Sequence, residues 1–322
     1  MINVGIVGGA GYTAGELIRL LVHHPKVNLS FINSTSNAGN KVTDVHSGLY
    51  GDCDLIFTNE LPFDKIDVLF LCTAHGDSIK FLENQKLPST LKIIDFSMDY
   101  RFQRDDNDFI YGLPELNREQ IKHAQKIANP GCFATCIQLS LLPLANKQLI
   151  TSDVMVNAIT GSTGAGVKPK PTAHFSWRDN NLSIYNAFTH RHVPEVKQSI
   201  TQLQANFNKA IDFIPYRGDF PRGIFTTLVT KIDLGINEIQ QIYKDYYKNE
   251  PFTHLIDMDL DLKQVVNTNK CLIQLQKHEN KLLIVSCLDN LLKGASGQAV
   301  QNMNLMFNLN ESLGLNLKAN AF

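Results

Sequence analysis

The order strand, glycine turn, helix, strand at the N-terminus constrains this chain more than any other feature. Ile2 to Val7 is a β-rich run and Gly8-Gly9-Ala10-Gly11 is a turn. Gly15-Glu16 leads into the apolar-periodic Leu17, Ile18, Leu20 and Leu21, and Val27 to Ile32 reads as the next strand. A helix between two apolar strand runs predicts a crossover between parallel strands, because a tight turn joins only antiparallel ones. The opening therefore predicts the first βαβ unit of a dinucleotide-binding fold. Gly8, Gly11 and the small pair Ala14-Gly15 supply what a phosphate-cradling loop needs: a tight turn, close backbone approach, and N–H groups aimed at an anion.

Further buried-type strands are predicted at Val68 to Cys72 and Leu91 to Phe96. Beyond Cys132 the pattern changes. Val154 to Ile159, Ile224 to Ile232, Cys271 to Leu275 and Leu282 to Cys287 predict a mostly antiparallel sheet, with helices around Pro194 to Asn206 and Ile236 to Tyr247. A last helix is predicted from Gly294 through Phe307, packing back on the first domain. At 322 residues the chain exceeds the usual single-core limit, so two domains are expected. The expected boundaries are 1–131, a Rossmann domain completed by the C-terminal helix at 294–322, and 132–293, an α+β domain; the class is α/β.

Charge removes whole classes of partner. Lys plus Arg number 30 against 31 Asp plus Glu, which gives no bulk attraction to nucleic acid or anionic membrane. No stretch approaches an apolar membrane span, and the N-terminus lacks the basic start and cleavage site of a signal peptide. The six cysteines show no C-x-x-C metal spacing, so no metal is expected, and a reducing cytoplasm fits them best. The expected partner is a small molecule.

Asn129-Pro130-Gly131-Cys132 places a thiol directly after a turn and directly before the apolar run Phe133 to Leu142. If that run is helical, Cys132 lies in its first turn, where unpaired N–H groups and the positive dipole end favour thiolate over thiol. A thiol nucleophile needs a proton shuttle, and the cluster His190-Arg191-His192-Val193-Pro194-Glu195 offers two imidazoles at the start of a helix. The end of the second predicted strand bears on the cofactor. Asn33-Ser34-Thr35-Ser36-Asn37 carries hydroxyl and amide donors where a carboxylate would bind the ribose of NAD and repel a 2′-phosphate, which predicts NADP. Two glycine-rich segments, Gly161 to Lys168 and Asp289 to Gln298, are either ligand loops or structural turns and caps.

Taken together these motifs resemble the N-acetyl-gamma-glutamyl-phosphate reductase family of the aspartate-semialdehyde dehydrogenase-like superfamily. The resemblance runs over nearly the whole chain: Gly8 to Leu17, Asp95 to Arg101, Tyr111 to Arg118, Asn129 to Cys132, His190 to Glu195, Arg222-Gly223-Ile224 and Asp289 to Asn304. It implies NADPH-dependent reduction of N-acetyl-L-glutamyl 5-phosphate, an acyl phosphate, to the 5-semialdehyde in arginine biosynthesis, with phosphate release through a thioester. It further implies Cys132 as nucleophile and His190 as acid/base. His192, Glu195, Lys168 and Arg222 would serve the substrate, and Gly8, Gly11, Tyr12, Thr13, Ser34, Ser36, Asn290, Lys293 and Gly294 the NADP(H). The α+β domain would also make the interface of a homo-oligomer, dimer or tetramer.

The chain departs from the family pattern at Phe213 to Gly223, where Tyr216 replaces an expected histidine and Arg217 and Asp219 add charge, and again at Phe133 to Cys136. These departures bear on the acyl group. Arg217 either meets a substrate carboxylate or pairs with Asp219 at the surface. An N-succinyl substrate, a carrier-linked aminoadipyl phosphate and a non-catalytic NADP-binding sensor are the alternative functions.

Overall fold

The computed structural model describes residues 1–320. Met1–Pro130 with Ala295–Asn316 form one unit, and Gly131–Gly294 with residues 317–320 form a second.

The first unit is built on six strands, β1 (Ile2–Val7), β2 (Val27–Asn33), β3 (Val68–Leu71), β4 (Lys92–Asp95), β5 (Ile110–Tyr111) and β6 (Lys126–Ala128). They lie in the order β2-β1-β3-β4-β6-β5, and every pair is parallel. Parallel sheets need both faces covered, which is why Val68, Leu69, Phe70 and Leu71 are all fully buried rather than alternating. Between β1 and β2 runs the helix Tyr12–Leu21, whose Ala14, Leu17, Ile18 and Leu21 at helical spacing form the buried stripe. Since β2 and β3 flank β1 on opposite sides, the carboxyl end of β1 is the switch point where ligands of open parallel sheets bind.

The helix Gly297–Met306 is also part of this unit and is buried along its whole length. The amide nitrogens of two of its buried polar side chains are hydrogen-bonded. Asn302 Nδ2 donates to the Gly112 carbonyl and to Asn129 Oδ1, while Asn304 Nδ2 donates to the carbonyls of Glu311 and Leu313. The predicted start at Gly294 is displaced: Leu292–Ser296 forms a π-helical turn before the α-helix begins.

The second unit holds β7 (Val154–Thr160), β8 (Ser183–Ile184), β9 (Ile211–Arg217), β10 (Ile224–Lys231), β11 (Thr253–Leu255), β12 (Cys271–His278) and β13 (Lys281–Leu288), ordered β11-β12-β13-β10-β7-β9-β8. Four pairs are antiparallel, while β7 with β9 and β11 with β12 are parallel. Alternation sets which residues meet the helices: Ile224, Thr226 and Leu228 are buried, and Phe225, Thr227 and Val229 are not. The helix Cys132–Asn146 is buried from Phe133 through Ala145, packing against the helices His192–Leu203 and Ile236–Tyr247 as well as β10 and β13. Tyr243 and Tyr247 donate their hydroxyls to the carbonyls of Ser140 and Leu139, and the Leu139 carbonyl is the one left without a helical partner by Pro143, which brings no N–H.

Candidate active site

In the first unit, the turn after β1 is shaped by backbone alone. Gly8 has φ +80°, and a Cβ there would lie 2.6 Å from the carbonyl oxygen of Cys72, so no other residue fits. Gly11 is the N-cap of the helix Tyr12–Leu21, so no side chain satisfies the N–H groups of the first turn, which includes Tyr12 and Thr13, and no acidic residue stands there to compete with an anion. At the end of β2, Asn37 Nδ2 donates to both Ser34 Oγ (3.2 Å) and Ser36 Oγ (3.0 Å), gathering the two serines into one hydroxyl cluster with no carboxylate in it. These features fit a dinucleotide: an open N–H cradle for the diphosphate and a neutral donor cluster for the ribose.

His46 was not marked by the sequence. Its Nε2 lies 2.7 Å from the Gly9 carbonyl oxygen, with the ring edge-on to Phe57. Donating to that carbonyl fixes the loop from outside, while the Gly9 N–H is held by the Asn33 carbonyl at 2.8 Å. No spacing rule reveals this, because the contact joins residues 37 positions apart.

The second unit begins at Gly131, an extended N-cap, and Cys132 is the first residue of the helix Cys132–Asn146. The thiol therefore sits among first-turn N–H groups. Glu195, 1% exposed, accepts the Gly131 N–H at 2.8 Å through Oε1, and Gln138 Nε2 donates to the Glu195 carbonyl and to Ser199 Oγ. Glu195 thus pins the helix start to the helix His192–Leu203. Gly294 packs closely against Cys132, since a Cβ there would lie 2.9 Å from Cys132 Cβ.

His190 is enclosed by aromatic rings: Phe133 (5.6 Å between centroids), Phe213 (5.2 Å), Tyr185 (5.7 Å) and His192 (4.7 Å). Its Nδ1 accepts the His192 backbone N–H at 3.2 Å, so the neutral ring carries its proton on Nε2. Burial, and after it the charges of Arg191 and Arg217, push the His190 pKa down to about 4. Near neutrality His190 is accordingly a neutral donor, not an imidazolium.

Arg222 forms an ion pair with the fully buried Asp289, Nε to Oδ2 at 3.0 Å, while Asp289 also accepts N–H groups of Asn267 and Leu291. Asn290 Oδ1 accepts the Gly223 N–H at 2.6 Å and its Nδ2 donates to Thr163 Oγ1. The segment Asp289–Gly294 is therefore stapled to the Arg222 turn and to the Gly161 loop, with Lys293 wholly buried. Lys168 stands exposed on that loop. Arg217 does not pair with Asp219. Its guanidinium lies over the Tyr185 ring at 4.7 Å, and Asp219 accepts the Asn180 N–H instead. Among the described residues no three His, Cys, Asp or Glu side chains converge as a metal site, and no helix is long and apolar enough to cross a membrane.

Comparison with known proteins bears on the family and the fold. Residues 3–124 match the family model described as semialdehyde dehydrogenase, NAD binding domain, and residues 132–290 match semialdehyde dehydrogenase, dimerisation domain. The chain is 68% identical over 322 residues to the N-acetyl-gamma-glutamyl-phosphate reductases of Phocaeicola vulgatus and Bacteroides fragilis, and 55% identical to that of Christiangramia forsetii, covering all of each chain. Among solved structures, aspartate semialdehyde dehydrogenase II from Vibrio cholerae superposes with a TM-score of 0.72 at 16% identity, covering 96% of this chain and 98% of that one. The Candida albicans aspartate semialdehyde dehydrogenase with NADP gives 0.72 at 14% identity, covering 95% and 98%. These two share the fold.

Proposed function

The chain belongs to the N-acetyl-gamma-glutamyl-phosphate reductases, within the semialdehyde dehydrogenases, and from that premise we propose how its residues carry out the reaction. The reaction is reduction of N-acetyl-L-glutamyl 5-phosphate to the 5-semialdehyde with release of phosphate, a step of arginine biosynthesis.

Cys132 attacks the acyl carbon as the thiolate, a thioester C–S bond forms, and the C–O bond to phosphate breaks with its electron pair leaving on phosphate. First-turn N–H groups of the helix Cys132–Asn146 face the oxyanion that develops in this step. A nicotinamide dinucleotide held in the first unit would supply the hydride that the thioester carbon accepts. His190 donates its Nε2–H to the resulting oxyanion; collapse of that oxyanion releases the aldehyde and returns Cys132 as thiolate. Because His190 is neutral near pH 7, it stabilises the oxyanion by hydrogen bonding and does not neutralise the thiolate. Glu195 acts by holding Gly131, and Arg222 by anchoring Asp289 and the segment through Lys293 and Gly294, which would meet the nicotinamide end.

For the cofactor we propose NADP(H), held by the first-turn N–H groups of Tyr12 and Thr13 and by the Ser34–Ser36 cluster, whose hydroxyls and lack of a carboxylate suit a 2′-phosphate. We also propose a homo-oligomer. The sheet face opposite the helices leaves Met155, Ile159, Ile214, Phe225 and Val229 incompletely buried, an apolar surface that a second copy would cover, in keeping with the dimerisation domain matched here. Six free cysteines fit the reducing cytoplasm.

The observation that carries this reading is Cys132 at the helix start with the caged, neutral His190 in the same unit. The test is phosphate-dependent reduction of NADP by N-acetyl-glutamate semialdehyde. Turnover that requires phosphate and prefers NADP to NAD is expected; turnover without phosphate, or none, contradicts it.

A further inference from the structure

Two guanidinium groups near His190, Arg178 buried and Arg217 half-buried, form no ion pair among the described residues. Arg178 is 8% exposed, and its terminal nitrogens donate to the carbonyls of Arg217 (2.9 Å) and Thr172 (3.0 Å). Its Nε is buried with no hydrogen-bond partner, and so is the Nε of Arg217. Asp219, which accepts the Asn180 N–H, offsets only part of the Arg178 charge. Arg178 is held below its usual range by burial first and by the charge of Arg217 second, with Asp219 acting in the opposite direction. Two adjacent cations with unspent buried donors destabilise a fold unless something anionic joins them.

Position says what that something is. Arg217 stacks on Tyr185 at 4.7 Å, and Tyr185 meets His190 edge-on at 5.7 Å, so the pair stands one aromatic ring beyond His190. The transferred phosphate is bonded to the carbon that Cys132 attacks and His190 polarises, too close to the reaction centre for this place. A substituent several bonds away, at the amino-acid end of the substrate, reaches it. The arginine fork matches the two oxygens of a carboxylate.

We propose that Arg217 and Arg178 form a carboxylate-binding site that holds the substrate's amino-acid end beside His190. The site rests on the reaction proposed above. Its carboxylate comes either from the α-carbon, in every substrate of the class, or from a dicarboxylic N-acyl group, and both sources present the same chemistry.

The test measures phosphate-dependent NADP reduction with N-acetyl- and N-succinyl-glutamate semialdehyde for the parent, Arg217→Ala and Arg217→Lys. Parent activity is established first: a parent inactive on both refutes the reaction, whereas the arginine proposal is judged only on an active parent. Loss of a charge-assisted hydrogen bond predicts a rise of about 10- to 100-fold in KM for the aldehyde in Arg217→Ala, with partial recovery in Arg217→Lys. KM for phosphate and for NADP should stay at parental values, which a misfolded variant would not give. A loss shared by both aldehydes assigns the α-carboxylate, and a loss confined to the succinylated one assigns the acyl carboxylate. Unchanged KM for both aldehydes, or a rise in KM for phosphate instead, overturns the proposal. Arg178→Lys, read the same way, checks the second member.

Discussion

The turn after β1 and the start of the helix Cys132–Asn146 are both helix N-termini entered through glycine, yet they are built from opposite materials. The first is backbone: Gly8 in a left-handed conformation against the Cys72 carbonyl, and Gly11 as a cap with nothing to offer but its own peptide. The second is crowded with side chains, with the thiol of Cys132, the carboxylate of Glu195 on Gly131, and His190 among four rings. A site that only holds a diphosphate needs donors and room. A site that makes and breaks bonds needs groups whose protonation is set by what surrounds them, and side chains supply those.

The comparison predicts that damage at one N-terminus spares the work of the other. The largest effect is expected for Cys132→Ser, which should lower turnover by on the order of 10⁴-fold or more while NADP binding, measured by fluorescence titration, stays at the parental value. Next comes His190→Asn, with kcat reduced about 10²-fold but phosphate release from the acyl phosphate retained, since the thiolate attack does not draw on the imidazole proton. If His192→Asn gives that loss and His190→Asn does not, the donor has been misassigned. A pH profile sharpens the point. The folded His190 is lowered to about 4, so its neutral form, fully present above the ordinary value of about 6.5, persists as pH falls and is lost only toward 4. Removing the charge in Arg217→Ala should move that acid limb upward.

Smaller effects belong to the other region. Gly8→Ala should raise KM for NADPH by roughly 10-fold or more, because a strained φ and a blocked carbonyl approach displace the loop. Alkylation of Cys132 should proceed at the parental rate. His46→Ala removes a single bond to the Gly9 carbonyl and should raise the same KM by about 2- to 10-fold with kcat intact, and His46→Gln should restore most of it. Equal losses of cofactor binding and thiol reactivity in either variant would erase the distinction.

Much of this was legible in the chain because it is local. The strand–turn–helix opening, Cys132 at a helix start and the strands at Val154, Ile224, Cys271 and Leu282 all declare themselves within a few residues. The strand β9 does not. Pro215 in its middle argues against a strand, and it is tolerated because only the two-residue β8 lies on that side, with Pro215 contributing a carbonyl to the Tyr185 N–H. The short β5, β6, β8 and β11 lack any period to read. His46, Tyr185 and Arg178 reach their partners through tertiary folding, and nothing adjacent in the chain marks them. Arg217 shows the limit from the other side: its neighbour Asp219 suggested a surface pair, and the structure gives each a different partner.

The central claim is that Cys132 carries the acyl group, and it is tested most directly by mixing the enzyme with N-acetyl-glutamyl phosphate in the absence of nicotinamide cofactor and following phosphate release and protein mass together. The account predicts a burst of phosphate stoichiometric with enzyme and a single acyl adduct on Cys132, absent in Cys132→Ser and discharged as aldehyde when NADPH is added. No burst, or an adduct on any other residue, would contradict it.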